Sequence, residues 1–122
     1  MEKIKVLIAD DHRVVREGLA AILKTKEDIH VIGEAQDGME AVEKARALLP
    51  DVILMDVSMP RMGGVEATRQ IKREFPHIGV VALTMYEEQQ YIFDLVRAGA
   101  TGYLLKDSES SQIVAAIRAI YR

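Results

Sequence analysis

The chain has 122 residues, of which 49% are hydrophobic, carries a formal net charge of −3 and contains no cysteine. This length and composition suffice for one domain with a real core. A small negative net charge does not indicate a free-standing domain that binds nucleic acid or anionic membranes. The lack of cysteine excludes disulfides and thiolate metal sites. No signal-peptide pattern follows Met1 and no apolar stretch reaches about 18 residues, so the sequence predicts a cytoplasmic protein without membrane contact.

Five short runs rich in Val, Ile and Leu alternate with five segments of helical periodicity. The runs lie at 4–9, 29–32, 52–55, 80–83 and 103–105. Because they are continuously apolar, they predict strands that are buried on both faces. Pro50 and Pro76 punctuate the second and third helical segments, Gly99 ends the fourth, and the serine cluster at 108–111 opens the fifth.

Each helical segment carries an apolar stripe that can cover one face of a sheet. In chain order the stripes are Val15, Leu19, Ile22 and Leu23; Val42, Ala45 and Leu49; Val65, Thr68, Ile71 and Phe75; Ile92, Leu95 and Val96; and Ile113, Ile117, Ile120 and Tyr121. Alternating strands and helices require crossover connections, so the predicted fold is a three-layer α/β sandwich around a parallel sheet.

Acidic residues follow two of the predicted strands. Asp10 and Asp11 come after the first strand and Asp56 after the third. If these strands are neighbours, the acids converge, and each like-charge contact at about 4 Å costs about 4 kcal/mol at an effective dielectric near 20. Such a cluster needs a hard divalent cation, Mg²⁺ before Ca²⁺ because few protein oxygens are offered, with coordination positions left for a phosphate.

Two further polar residues are predicted to lie at the same edge of the sheet. Thr84 follows the fourth strand and Lys106 the fifth, and ligands of open α/β sheets bind beyond the carboxyl ends of the strands. A carboxylate with an ordinary pKa near 4 is ionised at neutral pH and can attack phosphorus without a general base. The edge therefore predicts a metal-dependent phosphoryl site with Asp56 as nucleophile.

These residues, in this order and each at a strand end, resemble the receiver domain of bacterial two-component response regulators. Met59-Pro60 and Gly63-Gly64 match the family's turn after the central acid, and the segments 83–86, 98–106 and 116–118 are similar to the LuxR/NarL branch of transcription regulators. The resemblance covers residues 1–122. It implies a flavodoxin-like (CheY-like) sheet of strand order 2-1-3-4-5 with five helices.

The resemblance also implies a role for each site residue. Asp56 would be the phosphoacceptor, Asp11 a direct Mg²⁺ ligand, Asp10 a ligand through water, and Ser58 a ligand through its backbone carbonyl. Lys106 would pair with a phosphate oxygen and Thr84 would donate its hydroxyl to another. Tyr103 would be an aromatic switch that turns inward when Thr84 moves towards phosphate, and Tyr86, two positions beyond Thr84, would shield the phosphorus from water.

By the same resemblance the chain is a signalling domain and not an enzyme with turnover. A sensor histidine kinase would phosphorylate it, a homodimer could form on phosphorylation, and DNA would be bound only through a helix-turn-helix output domain that this chain lacks. A stand-alone receiver that acts through protein–protein contacts is the other possibility. Many receivers carry Pro after the conserved Lys, whereas this chain has Lys106-Asp107, which leaves the peptide geometry there open.

Two other functions deserve comparison with this one. Phosphatases of the haloacid-dehalogenase type also use a strand-end Asp with Mg²⁺ and Lys, but they need a second Asp two residues on, where this chain has Ser58. Flavodoxin-type binders of FMN cradle phosphate with a small-residue loop after the first strand, where Asp10 and Asp11 would repel it. His12, beside the acids, is expected to be a solvated residue and not a metal ligand.

Overall fold

A computed structural model describes residues 2–85 and 89–122, with the side chains of residues 89–91 left out. Five strands alternate with five helices. The strands are β1 (Ile4–Ala9), β2 (Ile29–Ala35), β3 (Val52–Asp56), β4 (Gly79–Thr84) and β5 (Gly102–Leu105). The helices are α1 (Arg13–Lys24), α2 (Gly38–Leu48), α3 (Gly64–Glu74), α4 (Gln89–Ala98) and α5 (Ser110–Tyr121). No helix within the described ranges is both long and apolar enough to cross a membrane.

The strands form one parallel sheet in the order β2-β1-β3-β4-β5, which confirms the predicted fold. On one face, α1 and α5 pack over strand side chains such as Val6 and Leu54, and α5 contributes Ile117 to this core. The other face is covered by α2 and α3, and by α4 through Leu95. β3 lies at the centre with all five of its residues buried, because apolar side chains on both of its faces are covered by helices.

Some predictions about burial are wrong. β5 is an edge strand, and Tyr103 within it is 46% exposed, because a strand at the edge of a sheet has a neighbour on one side only. Val96, predicted to lie on the buried stripe of α4, is 64% exposed. Leu49 is 48% exposed and lies beyond the end of α2 in a left-handed conformation with φ of 50°, so the helical stripe does not extend to it.

α5 begins within the predicted cluster at 108–111. The first residue of the helix is Ser110, and its N-cap is Glu109 rather than one of the serines. The backbone N–H of Glu109 donates a 3.0 Å hydrogen bond to the side-chain oxygen of Gln112. This reciprocal arrangement is a capping box, which the serine-based pattern did not indicate.

Candidate functional site

The register of the strands brings the predicted polar residues together at one edge. Ala9 of β1 pairs with Met55 of β3, so Asp10 and Asp56 follow at the same level. On the other side, Thr84 of β4 pairs with the last residue of β5, and the Thr84 carbonyl accepts a 2.8 Å hydrogen bond from the backbone N–H of Lys106. Parallel pairing therefore places residues that are far apart in sequence next to one another.

Three carboxylates and one imidazole form the centre of the site. Oxygen atoms of Asp10, Asp11 and Asp56 and a ring nitrogen of His12 all lie within 4.8 Å of one another. Asp10 is fully buried and Asp56 is 2% exposed, whereas Asp11 lies on the surface of the site. The cluster predicted from the strand ends is thus present, with two acids inside and one at the rim.

Lys106 partly compensates the negative charge. Its ammonium nitrogen lies 2.9 Å from Asp10 Oδ2 and 3.2 Å from Asp56 Oδ1. Desolvation lowers the pKa of Lys106, but the attraction of Asp10 and Asp56 outweighs it, so the pKa is raised. The side chain is therefore a permanent cation between the two buried acids.

The expectation of an ordinary pKa for Asp56 is wrong. The pKa of Asp56 is raised to about 6, first by burial and then by repulsion from the neighbouring Asp10 carboxylate. Lys106 and the backbone N–H of Ser58 oppose this increase. Because a buried carboxylate loses the solvation of its charge, one cation and one 3.3 Å hydrogen bond from Ser58 do not restore the usual value.

The donor set fits a hard divalent cation. Asp56 Oδ2 is buried and has no hydrogen-bond partner within the described ranges of the chain, a costly arrangement that a cation at the carboxylates would relieve. A pocket of about 270 Å³ opens at this point. It is lined by Asp11, His12, Asp56, Val57, Ser58, Thr84, Met85 and Lys106. Oxygen donors beside an open volume suit an ion that retains waters or takes up a phosphate oxygen.

The remaining predicted residues fall in different places. Ser58 lines the pocket in the loop after β3. Tyr103 of β5 pairs with Ala82 of β4, and Ala82 lies two residues before Thr84 on the same strand. Because side chains alternate along a strand, Tyr103 and Thr84 project from the same face of the sheet. Tyr86 lies outside the described residues. The peptide between Lys106 and Asp107 is trans, since the described part of the chain has no cis peptide bond.

Sequence reasoning missed two arginines that hold the loops of the site. Arg16 of α1, 15% exposed in its side chain, donates a 2.7 Å hydrogen bond to the carbonyl of Asp10 and pairs with Glu34. Arg61 has a positive φ of 63° and pairs with the N-cap carboxylate of α2, Asp37. No motif marks either contact, because each joins segments that meet only in the fold.

The layering and strand order define a CheY-like α/β domain with an acidic site at the carboxyl edge. The sequence profile of the response regulator receiver domain matches residues 6–118, and the chain belongs to this family. Receiver domains are signalling domains and not enzymes in the usual sense.

Similar proteins place the chain near the LuxR/NarL branch. It is 48% identical over 118 residues to the response regulator protein VraR of Staphylococcus saprophyticus, covering 97% of this chain and 56% of that protein. It is 50% identical over 116 residues to the transcriptional regulatory protein LiaR of Bacillus subtilis, covering 95% and 55%. The chain therefore spans about half the length of these curated relatives.

Solved structures agree with this assignment. The signal receiver domain of the putative response regulator NarL from Mycobacterium tuberculosis superposes with a TM-score of 0.93 at 35% identity, covering 99% of this chain and 98% of that one. A LuxR-family two-component response regulator from Aurantimonas has a TM-score of 0.92 at 33% identity, covering 98% and 86%. The resemblance to the LuxR/NarL branch is confirmed, and neither alternative class is favoured.

Proposed function

We propose that this chain is the phosphorylated input domain of a transcription regulator, in which a sensor histidine kinase transfers a phosphoryl group to Asp56 with Mg²⁺ bound at the acidic cluster. One observation carries the proposal: Asp11, Asp56 and Lys106 line one pocket, and the buried Asp10 belongs to the same cluster of charges. Family membership and the identity to named regulators support it.

Four residues are proposed as ligands of the ion. Asp11 and Asp56 would hold Mg²⁺ through carboxylate oxygens, Ser58 through its backbone carbonyl, and Asp10 through water. When bound, the ion supplies positive charge that neutralises the acids and the oxygens of an incoming phosphoryl group. This requirement explains why the site keeps two buried acids that repel each other.

The chemical step is an in-line displacement. An oxygen of ionised Asp56 forms a bond to phosphorus while the bond from phosphorus to the donor's imidazole nitrogen breaks, and the electron pair of that bond returns to the imidazole. The ammonium of Lys106 stabilises the negative oxygens of the phosphoryl group. No general base is required because the nucleophile carries no proton once ionised.

The response to phosphate is proposed to pass through Thr84 and Tyr103. Thr84 lines the pocket. Its hydroxyl would donate a hydrogen bond to a phosphate oxygen, and Thr84 would move towards the phosphate. Tyr103 projects from the same face of the neighbouring strand and is 46% exposed, so an inward turn of its ring would alter the surface formed by α4, β5 and α5. Such coupling requires that phosphate binds the two arrangements with different affinity.

The output is proposed to lie outside this chain. The curated relatives are nearly twice as long as the matched region, and one is called a transcriptional regulatory protein. The additional length fits a helix-turn-helix domain that binds DNA in the cytoplasm. A homodimer that forms on phosphorylation would pair two such domains. The shielding of the phosphorus from water by Tyr86 remains a prediction.

In the experiment, the parent chain and the Asp56→Asn variant are treated with acetyl phosphate and Mg²⁺. The product is then characterised by its intact mass and by NMR. Asp51→Asn is the matched control, because Asp51 precedes the opposite end of β3 and accepts a hydrogen bond from the backbone N–H of Lys5 that asparagine can also accept. Parent and control should gain one phosphoryl group, and the Asp56→Asn variant none. Phosphorylation of Asp56→Asn would contradict the assignment of the acceptor. Sustained hydrolysis of phosphate esters would favour a phosphatase instead.

A further inference from the structure

His12 occupies a position that its role in the fold does not explain. It is the N-cap of α1, yet its side chain makes no capping hydrogen bond. Its ring is 66% exposed and lines the pocket beside Asp11 and Asp56. The backbone N–H of His12 donates a 2.8 Å hydrogen bond to Asp10 Oδ1, which ties the residue to the buried acid. The imidazole is therefore held at the acidic cluster without serving the helix.

The distances within the cluster match those between neighbouring ligands of one ion. His12 Nδ1 lies 3.0 Å from Asp11 Oδ1 and 3.3 Å from Asp10 Oδ1. Adjacent ligands of an octahedral ion are about 3 Å apart when the bonds to the metal are near 2.1 Å. The unpartnered Oδ2 of Asp56, which is 2% exposed, is a second and independent indication of a cation here.

An imidazole changes which ion such a site prefers. Mg²⁺ is served by carboxylate, carbonyl and water oxygens, whereas imidazole nitrogen suits first-row transition metals such as Ni²⁺ and Zn²⁺. We propose that His12, contrary to the expectation from the sequence, is a metal ligand of this site and gives it a preference for nitrogen-binding transition-metal ions over Mg²⁺. This inference rests on the metal site proposed above and goes beyond it in assigning His12 and the ion preference.

The test compares Ni²⁺ with Mg²⁺, since both accept six ligands and they are similar in size. His12→Asn removes the ring nitrogen but keeps a side-chain oxygen, and asparagine is a preferred N-cap residue, so the variant retains the helix start. His30→Asn is the matched control, because His30 is an exposed histidine on β2, towards the opposite edge of the sheet. The affinities of the purified chain for NiCl₂ and MgCl₂ are measured by titration calorimetry at one pH, and NMR follows paramagnetic broadening of the imidazole signals.

We expect His12→Asn to weaken Ni²⁺ binding by roughly tenfold or more and to change Mg²⁺ binding by less than roughly threefold, because an oxygen donor replaces the nitrogen. In the parent, Ni²⁺ should broaden the His12 ring signals first. An equal effect on both ions, no effect on Ni²⁺, or the same loss in His30→Asn would overturn the inference and leave the Mg²⁺ site standing. Failure of the parent to bind either ion would instead refute the metal site and with it the proposed function.

Discussion

The raised pKa of Asp56 predicts that Asp56→Asn increases the stability of the metal-free protein, and that the increase depends on pH. The pKa of Asp56 rises from 3.8 to about 6 on folding, chiefly through burial and then through repulsion by Asp10. Between these values the folded state binds more protons than the unfolded state, so stability is lost as the pH rises through about 6. Below about 4 both states are protonated and the contribution of Asp56 is fully present.

The size of the effect follows from the difference in pKa. A difference of about two pH units is worth about 3 kcal/mol, and this figure already includes the attraction of Lys106 for the ionised carboxylate. Asparagine has no such penalty. The advantage of Asp56→Asn over the parent should therefore grow by about 3 kcal/mol between pH about 4 and pH about 7, which corresponds to a rise of roughly 10 °C in Tm for a domain of this size.

Urea denaturation in the presence of a chelator, at a series of pH values, measures this gap. Asp37→Asn is the control, because its effect on the free energy of unfolding should change with pH in the opposite direction. The backbone N–H of Glu40, followed by Arg61, lowers the pKa of Asp37, so its contribution is present above the unfolded pKa and lost as the pH falls. Asparagine caps α2 about as well as aspartate.

The reasoning would be refuted if the difference in the free energy of unfolding between Asp56→Asn and the parent were the same at both ends of the pH series. Mg²⁺ at about a hundred times its Kd should stabilise the parent by about 2.7 kcal/mol and narrow the gap.

Two further changes test the packing and the charge of the site. Gly64→Ala should lower the free energy of unfolding by about 1–3 kcal/mol in urea titrations, because the new Cβ would overlap the carbonyl oxygen of Asp56. Gly18→Ala, in open space on α1, should instead raise it by about 0.5–1 kcal/mol, and an equal loss in both would show that the close approach is not the cause. Lys106→Gln should tighten Mg²⁺ binding roughly tenfold in calorimetry, because the ammonium competes with the ion for the same carboxylates and a like charge at about 4 Å costs 1 kcal/mol or more. Weaker Mg²⁺ binding in Lys106→Gln would contradict this.

The class of fold and the membership of the site were predictable because both depend on short-range patterns. Continuous apolar runs separated by helical stripes require a parallel sheet between helix layers. Parallel strands all end at one edge, so Asp10, Asp56, Thr84 and Lys106 had to meet there whatever the details of packing.

Only the tertiary structure decided how strongly these groups interact. The pKa of Asp56 depends on desolvation by segments that are distant in sequence, and the approach of His12 to Asp11 depends on the path of one loop. The exposure of Tyr103 follows from the position of β5 at the sheet edge, which the pattern of its own residues does not contain.

The chain's pattern of apolar and polar residues thus determined by itself which groups share an edge, because that follows from the repeat of strand and helix. The fold alone set burial, distance and charge balance, because these are sums over neighbours that come together only when the chain is folded.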